Sequence, residues 1–162
     1  MKIILIVLGS LFVVVLVTAF LCLSGGLFYL WPTWTSNQKI EITQEMIGNL
    51  KNFRKVDKFM PDETQHYPGL KEEPKRLLAQ SLLDSSLDYL VINLEKHPNK
   101  VFVMGVIKKM LFKYDHFDSE EQDRVCLYSE KIMDILKIKD SGELINVWRY
   151  GFPFGWFEKR NK

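Results

Sequence analysis

No charged residue occurs between Lys2 and Lys39. Inside that window the run from Ile3 to Trp31, IILIVLGSLFVVVLVTAFLCLSGGLFYLW, is almost continuously apolar. A helix crossing the hydrocarbon core of a bilayer needs about 20 apolar residues, and this run has more. It predicts a transmembrane anchor over residues 1–35, in contact with lipid through residues 3–31, followed by a soluble domain over 36–162. A cleaved signal peptide fits less well. Such peptides pair a basic start, here Lys2, with an apolar stretch of about 7–15 residues and a small-residue cleavage site. The best small cluster, Ser24-Gly25-Gly26, is followed by further apolar and aromatic residues. A lipoprotein reading of Cys22 fails because Phe20 and Leu21 precede it where small residues are needed.

Trp31 and Trp34 mark the outer end of the anchor, since indole rings favour the headgroup zone. Pro32 suits an exit point because it lacks the N–H that a helix interior requires. Ser24-Gly25-Gly26 reads as a kink or a close-packing face. The amino terminus and Lys2 lie on one side and Lys39 and Lys51 on the other, a small bias toward an internal amino terminus. The domain would then lie outside the cytoplasm, which in a Gram-negative cell means the periplasm.

The body is long enough for one domain and too short for two. Removing Lys2 from the 22 basic residues leaves 21 against 20 acidic ones. So balanced a charge argues against a nucleic-acid partner, which would need a one-sided basic surface. Cys22 lies in the anchor and Cys126 in the body, so the two cannot pair, and Cys126 needs burial to survive an oxidising compartment.

Periodicity divides the body into helices. Thr43 is a candidate N-cap for a first helix over 44–56 carrying Met46, Ile47, Leu50 and Phe53 or Arg54. Lys58 to Leu70, KFMPDETQHYPGL, has two prolines and no period, and reads as a loop of functional length. A second helix over 72–96 has Pro74 in its first turn and buries Ala79, Leu83, Leu87, Leu90 and Leu94, with Leu78, Leu82 and Val91 widening the face. A third, over 99–114, has apolar stripes of Val103, Ile107, Met110 and Tyr114 and of Phe102, Val106 and Leu111, as the central helix of a bundle would. Its β-branched content leaves a strand open over 101–107. Ser119 and Gln122 form a capping box before a fourth helix over 120–137 with Val125, Tyr128, Ile132 and Ile135 inward. Asp140-Ser141 caps a short fifth helix with Leu144, Ile145 and Trp148. The fold class is therefore all-α: a single N-terminal transmembrane helix followed by a four- to five-helix bundle.

Residues that could carry chemistry are few. His66, His97 and His116 have no zinc spacing. Cys126 sits mid-helix, away from any helix N-terminus that would activate it. Asp62-Glu63, Glu72-Glu73 and Glu120-Glu121 are paired acids of the kind that hydrolyse sugars, but two of the pairs stand where helix N-termini attract negative charge. No phosphate loop or serine elbow is present. The reading is of a protein that is no enzyme, with no cofactor and no metal.

The unusual soluble feature is the aromatic end, RYGFPFGWFEKRNK. Tyr, Trp and Arg dominate binding hot spots. Trp148, Arg149, Tyr150, Phe152, Phe154 and Trp156, together with Tyr67 in the loop, are the candidate protein-binding residues. The alternatives are that these aromatics close the helical core, or that Trp156-Phe157 enters the bilayer surface with Lys159 and Arg160 at the headgroups.

Four stretches carry a resemblance: Asp123, Arg124, Val125, Cys126 and Tyr128 (D-R-V-C-x-Y); Met133, Asp134, Ile135, Leu136 and Ile138 (M-D-I-L-x-I); Ser141, Gly142, Leu144, Asn146, Trp148, Tyr150 and Gly151 (S-G-x-L-x-N-x-W-x-Y-G); and Tyr67-Pro68-Gly69. In these the chain resembles a family of small bacterial proteins known as a domain of unknown function, family 4844. The likeness is close over the last third of the chain and follows helix pattern elsewhere. It implies a helical domain, a bacterial source and core roles for Cys126 and Trp148, and it brings no activity. The leading expectation is a membrane-anchored helical binding protein of the envelope, of the immunity or inhibitor kind that occludes a toxin. Loop 58–70 and tail 148–157 are its candidate faces. The alternatives are an accessory subunit that assembles through its anchor, and an envelope hydrolase using Asp62, Glu63 or His66.

Overall fold

A computed structural model describes residues 2–34 and 37–151. Among these, six α-helices follow in order: α1 (Lys2–Trp34), α2 (Gln44–Lys55), α3 (Glu73–Asn93), α4 (Lys100–Phe112), α5 (Ser119–Ile135) and α6 (Leu144–Tyr150), with a 3-10 turn at Glu63–Gln65. The architecture is an all-α bundle preceded by one long apolar helix.

One helix among the described residues is long and apolar enough to cross a membrane. It is α1, whose window Ile6–Leu23 has a mean hydropathy of 2.9 and no residue buried. Pro32 does not end α1, which runs on to Trp34; so close to a helix end, the missing N–H forfeits only one bond of the final turn. The chain that follows is more than a linker. Ile40 is buried, its N–H donates to the Pro98 carbonyl at 2.8 Å, and the Lys100 N–H donates to the Gln38 carbonyl at 2.8 Å. The approach to α2 is thus tied to the start of α4.

Local signals account for most helix starts. The Thr43 hydroxyl accepts from the Met46 N–H at 3.2 Å, and the Asn99 side chain accepts from the Phe102 N–H at 2.9 Å, each satisfying a donor the first turn leaves unpaired. Pro74 lies in the first turn of α3. Two expected caps are replaced. Asp118, not Ser119, is the N-cap of α5, and the Gln122 amide instead donates to the carbonyls of Tyr114, Asp115 and Phe117, stitching the α4–α5 turn. Asp140 does not cap α6, which starts at Leu144. Its carboxylate accepts from the Gly142 N–H and from the buried Lys100 ammonium at 2.8 Å, since a buried cation needs a partner more than a short helix needs a cap.

α4 is the central helix, touching α1, α3, α5 and α6. Residues 101–107 are helical throughout: burial on several sides rewards β-branched side chains whatever their intrinsic preference. The stripe of α3 is buried as its spacing predicts, with Ala79, Leu83, Leu87, Leu90 and Leu94 at 1% exposure or less. Leu78 departs from expectation at 53% exposed, because it stands about 100° around the helix from the buried Ala79, off the Ala79–Leu83–Leu87 stripe. Tyr114 fixes the centre, its hydroxyl donating to the Ala79 carbonyl at 2.6 Å.

Candidate functional site

The connector between α2 and α3 is built from charges placed at core positions. Lys58 follows α2 by three residues and is 1% exposed. Its ammonium donates to the carbonyls of Arg54 and Val56 at 3.0 and 2.9 Å and to Asp84 Oδ1 at 2.9 Å. It thus satisfies carbonyls that the end of α2 leaves open and neutralises an acid that the buried face of α3 encloses. Its backbone N–H is held by Gln80 at 3.2 Å. Next comes Phe59, fully buried with φ of 60°, a left-handed conformation costly for an aromatic residue. The Tyr128 hydroxyl accepts from its N–H at 2.9 Å, and its ring packs edge-on to Tyr128 and stacks with Tyr114.

The tip of the loop is a small hairpin. The Asp62 N–H donates to the Tyr67 carbonyl at 2.9 Å and the Tyr67 N–H to the Asp62 carbonyl at 3.0 Å. The 3-10 turn closes it, and His66 is left-handed at φ 50°. Gly69 is required where it stands: its φ is +76°, and a Cβ there would lie 2.6 Å from Pro61 N.

Arg124, 9% exposed on α5, clamps this hairpin. Its guanidinium donates to Asp62 and lies 4.8 Å from the Tyr67 ring and 5.7 Å from the Tyr128 ring. The Tyr67 hydroxyl donates to Glu121 Oε1 at 3.4 Å. Environment tunes each group. The Thr64 hydroxyl and then Arg124, both donating to Asp62, hold its carboxyl down at about 2. Burial pushes the Glu121 carboxyl above its ordinary value, and burial followed by the Glu121 charge pushes the Tyr67 phenol up. Glu121 is therefore no exposed partner of the helix dipole, as its place in the first turn of α5 suggested; it is 5% exposed.

What the loop shows to solvent is Met60, Pro61, Glu63, Thr64, Gln65, His66 and Pro68. An Asp62 carboxylate held at about 2 is a weak proton acceptor at neutral pH. The arrangement is suited to displaying a fixed surface.

The candidate binding residues fall in different settings. Tyr67 is 7% exposed and spends its ring on Arg124. Trp148 packs partly buried against the core and donates from Nε1 to Asp115 at 2.7 Å. Arg149 is ion-paired with Asp123 of α5, and Tyr150 is 47% exposed. Phe152, Phe154 and Trp156 lie outside the described residues. The two candidate faces share α5: Asp123 reaches α6 while its neighbour Arg124 reaches the loop. Cys126 is partly buried against the core, and burial, then the Asp123 charge, pushes its thiol up to about 12. His97 lies against the Phe102 ring at 5.2 Å.

The sequence reading missed Lys58, Asp84 and Arg124 as a bracing set. The available signal was a charge at a core register: Asp84 follows Leu83 on the buried stripe, and Arg124 precedes Val125.

The helical bundle is of a kind known from other chains. Residues 38–153 match the family described as Domain of unknown function (DUF4844), and the chain belongs to that family. No curated protein matches the chain. The fold is similar to the crystal structure of a DUF3571 family protein from Acinetobacter baumannii, at 22% sequence identity and a TM-score of 0.60, over 69% of this chain and 94% of that one.

Proposed function

We propose that this chain is a membrane-tethered binding protein of the bacterial envelope that engages a protein partner through loop 58–70. It would act as an immunity or inhibitor protein does when it occludes a toxin. The observation that carries this reading is the bracing of the loop. Lys58, Tyr128 and Arg124 each fix it at a separate point, and the Tyr128 hydroxyl holds the backbone of Phe59 in its left-handed conformation. A mere connector has no need of that strain, whereas a binding loop fixed in advance loses little conformational entropy when a partner docks. The tether is α1, the domain faces the periplasm, and the exposed Tyr150 at the end of α6 is a further point of contact.

A second reading has its own observation. Ile6–Leu23 is exposed along its whole length, so α1 can also serve as an interface to another membrane helix. Replacing α1 with an unrelated transmembrane helix separates the two. In the binding reading, affinity capture from the envelope of the source cell retains the same partner after the swap and loses it when Glu63–His66 is replaced by a glycine-serine turn. Loss on the α1 swap alone would favour the accessory-subunit reading.

A further inference from the structure

A groove of about 370 Å³ runs between α3 and α4, lined by Ser85, Ser86, Tyr89, Val106, Lys109 and Lys113. It lies apart from the braced loop. Val106 and the Tyr89 ring form an apolar wall, and the polar groups gather at one end. There the Lys113 ammonium donates to the hydroxyls of Ser85 and Ser86 at 3.4 and 3.2 Å. No carboxylate lines the groove, and Lys100–Lys113 contains four lysines and no acid, although the body as a whole is nearly neutral. Lysines in a last helical turn do balance the helix dipole. That does not account for the solvent-exposed Leu78, Tyr89 and Ile92 along α3.

We infer that this groove seats the headgroup of an anionic phospholipid from the bilayer that holds α1. The charge is complementary: the Lys109 and Lys113 ammoniums suit a phosphodiester and the apolar wall suits the start of its chains, while the Ser85 and Ser86 hydroxyls, which both donate to the Leu82 carbonyl at 2.9 Å, orient Lys113 by accepting from it. The source follows from the tether, on which this inference rests. Ile6–Leu23 ends only a short distance in sequence from Ile40, which is already docked on the bundle, so the headgroups are always within reach. Contact at the groove lays the α3–α4 face on the membrane and orients the domain above it.

The test uses the full chain with Cys22→Ser and Ser85→Cys, reconstituted in nanodiscs of phosphatidylcholine alone or mixed with phosphatidylglycerol. The readout is the maleimide labelling rate at position 85. The inference expects labelling to slow by at least an order of magnitude in the phosphatidylglycerol discs. Two lysines near an anionic surface shift such an equilibrium by roughly thirtyfold. The added substitutions K109E and K113E, both on exposed side chains, restore the fast rate. Equal rates in the two lipids, or slowing that survives K109E/K113E, would overturn the inference while α1 remains in the disc. Slowing by inorganic phosphate in phosphatidylcholine discs would overturn the lipid as the ligand. Loss of the chain from discs of either composition would overturn the tether and the inference together.

Discussion

Replacing Lys58 with methionine isolates the tie between the loop and the bundle. The methionine keeps most of the stem beside the Phe53 ring, over which the ammonium now lies at 5.2 Å, and removes three hydrogen bonds from one buried cation. Hydrogen bonds to a charged group contribute about 1.5–3 kcal/mol net, and removing one partner of a buried ion pair costs about 3–5 kcal/mol. Asp84 retains some compensation from Arg54 at 3.8 Å and Gln80 at 3.5 Å, so the loss should fall near the low end, about 3 kcal/mol. Asp84→Leu strands the ammonium and should cost a similar amount. The double variant Lys58→Met/Asp84→Leu removes both charges and leaves two carbonyls and the half-buried Gln80 amide without their partners, so it should recover at least about 1.5 kcal/mol relative to the summed singles. Cys126 supplies the assay. Its partly buried thiol, held up to about 12, reacts slowly with maleimide in the folded state, so labelling across a urea series in a Cys22→Ser background, in mild detergent, reports unfolding of the bundle. A cost below about 1 kcal/mol for Lys58→Met, or strictly additive costs in the double variant, would show that Lys58 and Asp84 do not tie the loop to the bundle.

Three further outcomes follow from the same site. Gly69→Ala should destabilise by about 1–3 kcal/mol, because the Cβ meets Pro61 at a left-handed φ; urea midpoints measure this. Tyr128→Phe should cost about 1–3 kcal/mol by leaving the buried Phe59 N–H without its acceptor, and Phe59 amide exchange should accelerate. The third is a pH dependence with two opposed parts. Glu121 has a raised folded pKa, so the folded state binds its proton first, and stability rises as pH falls through that value toward the unfolded one. Glu121→Gln should abolish this rise. Asp62 has a depressed folded pKa of about 2, so its contribution is full above the unfolded carboxylate value and is lost as pH falls from there toward 2. Asp62→Asn should flatten that acid limb.

The helices were legible because burial writes a period into the sequence. Ala79 through Leu94 and Val103 through Tyr114 alternate at helical spacing, and both stripes are buried. Thr43 and Pro74 announced their helix starts through local chemistry that needs no tertiary partner. The Ser119 box and the Asp140 cap were misread because Gln122 and Asp140 found longer-range partners in three carbonyls and Lys100. The site was legible only as an aperiodic stretch with two prolines. Its bracing depends on pairs such as Lys58 with Asp84 and Asp62 with Arg124, which meet only once α3 and α5 pack. Nothing in local spacing specifies such meetings, though a charge at a core register marks one end of each.

In the proposed function the braced loop of a membrane-held domain meets a protein partner. Photocrosslinking in cells of the source bacterium tests it most directly, with a photoreactive residue at Gln65 in the exposed tip and, separately, at Leu16 in α1. One stoichiometric protein adduct is expected from position 65, lost on Gly69→Ala. Adducts from position 16 alone, or none from position 65 in a folded and membrane-inserted protein, would contradict it.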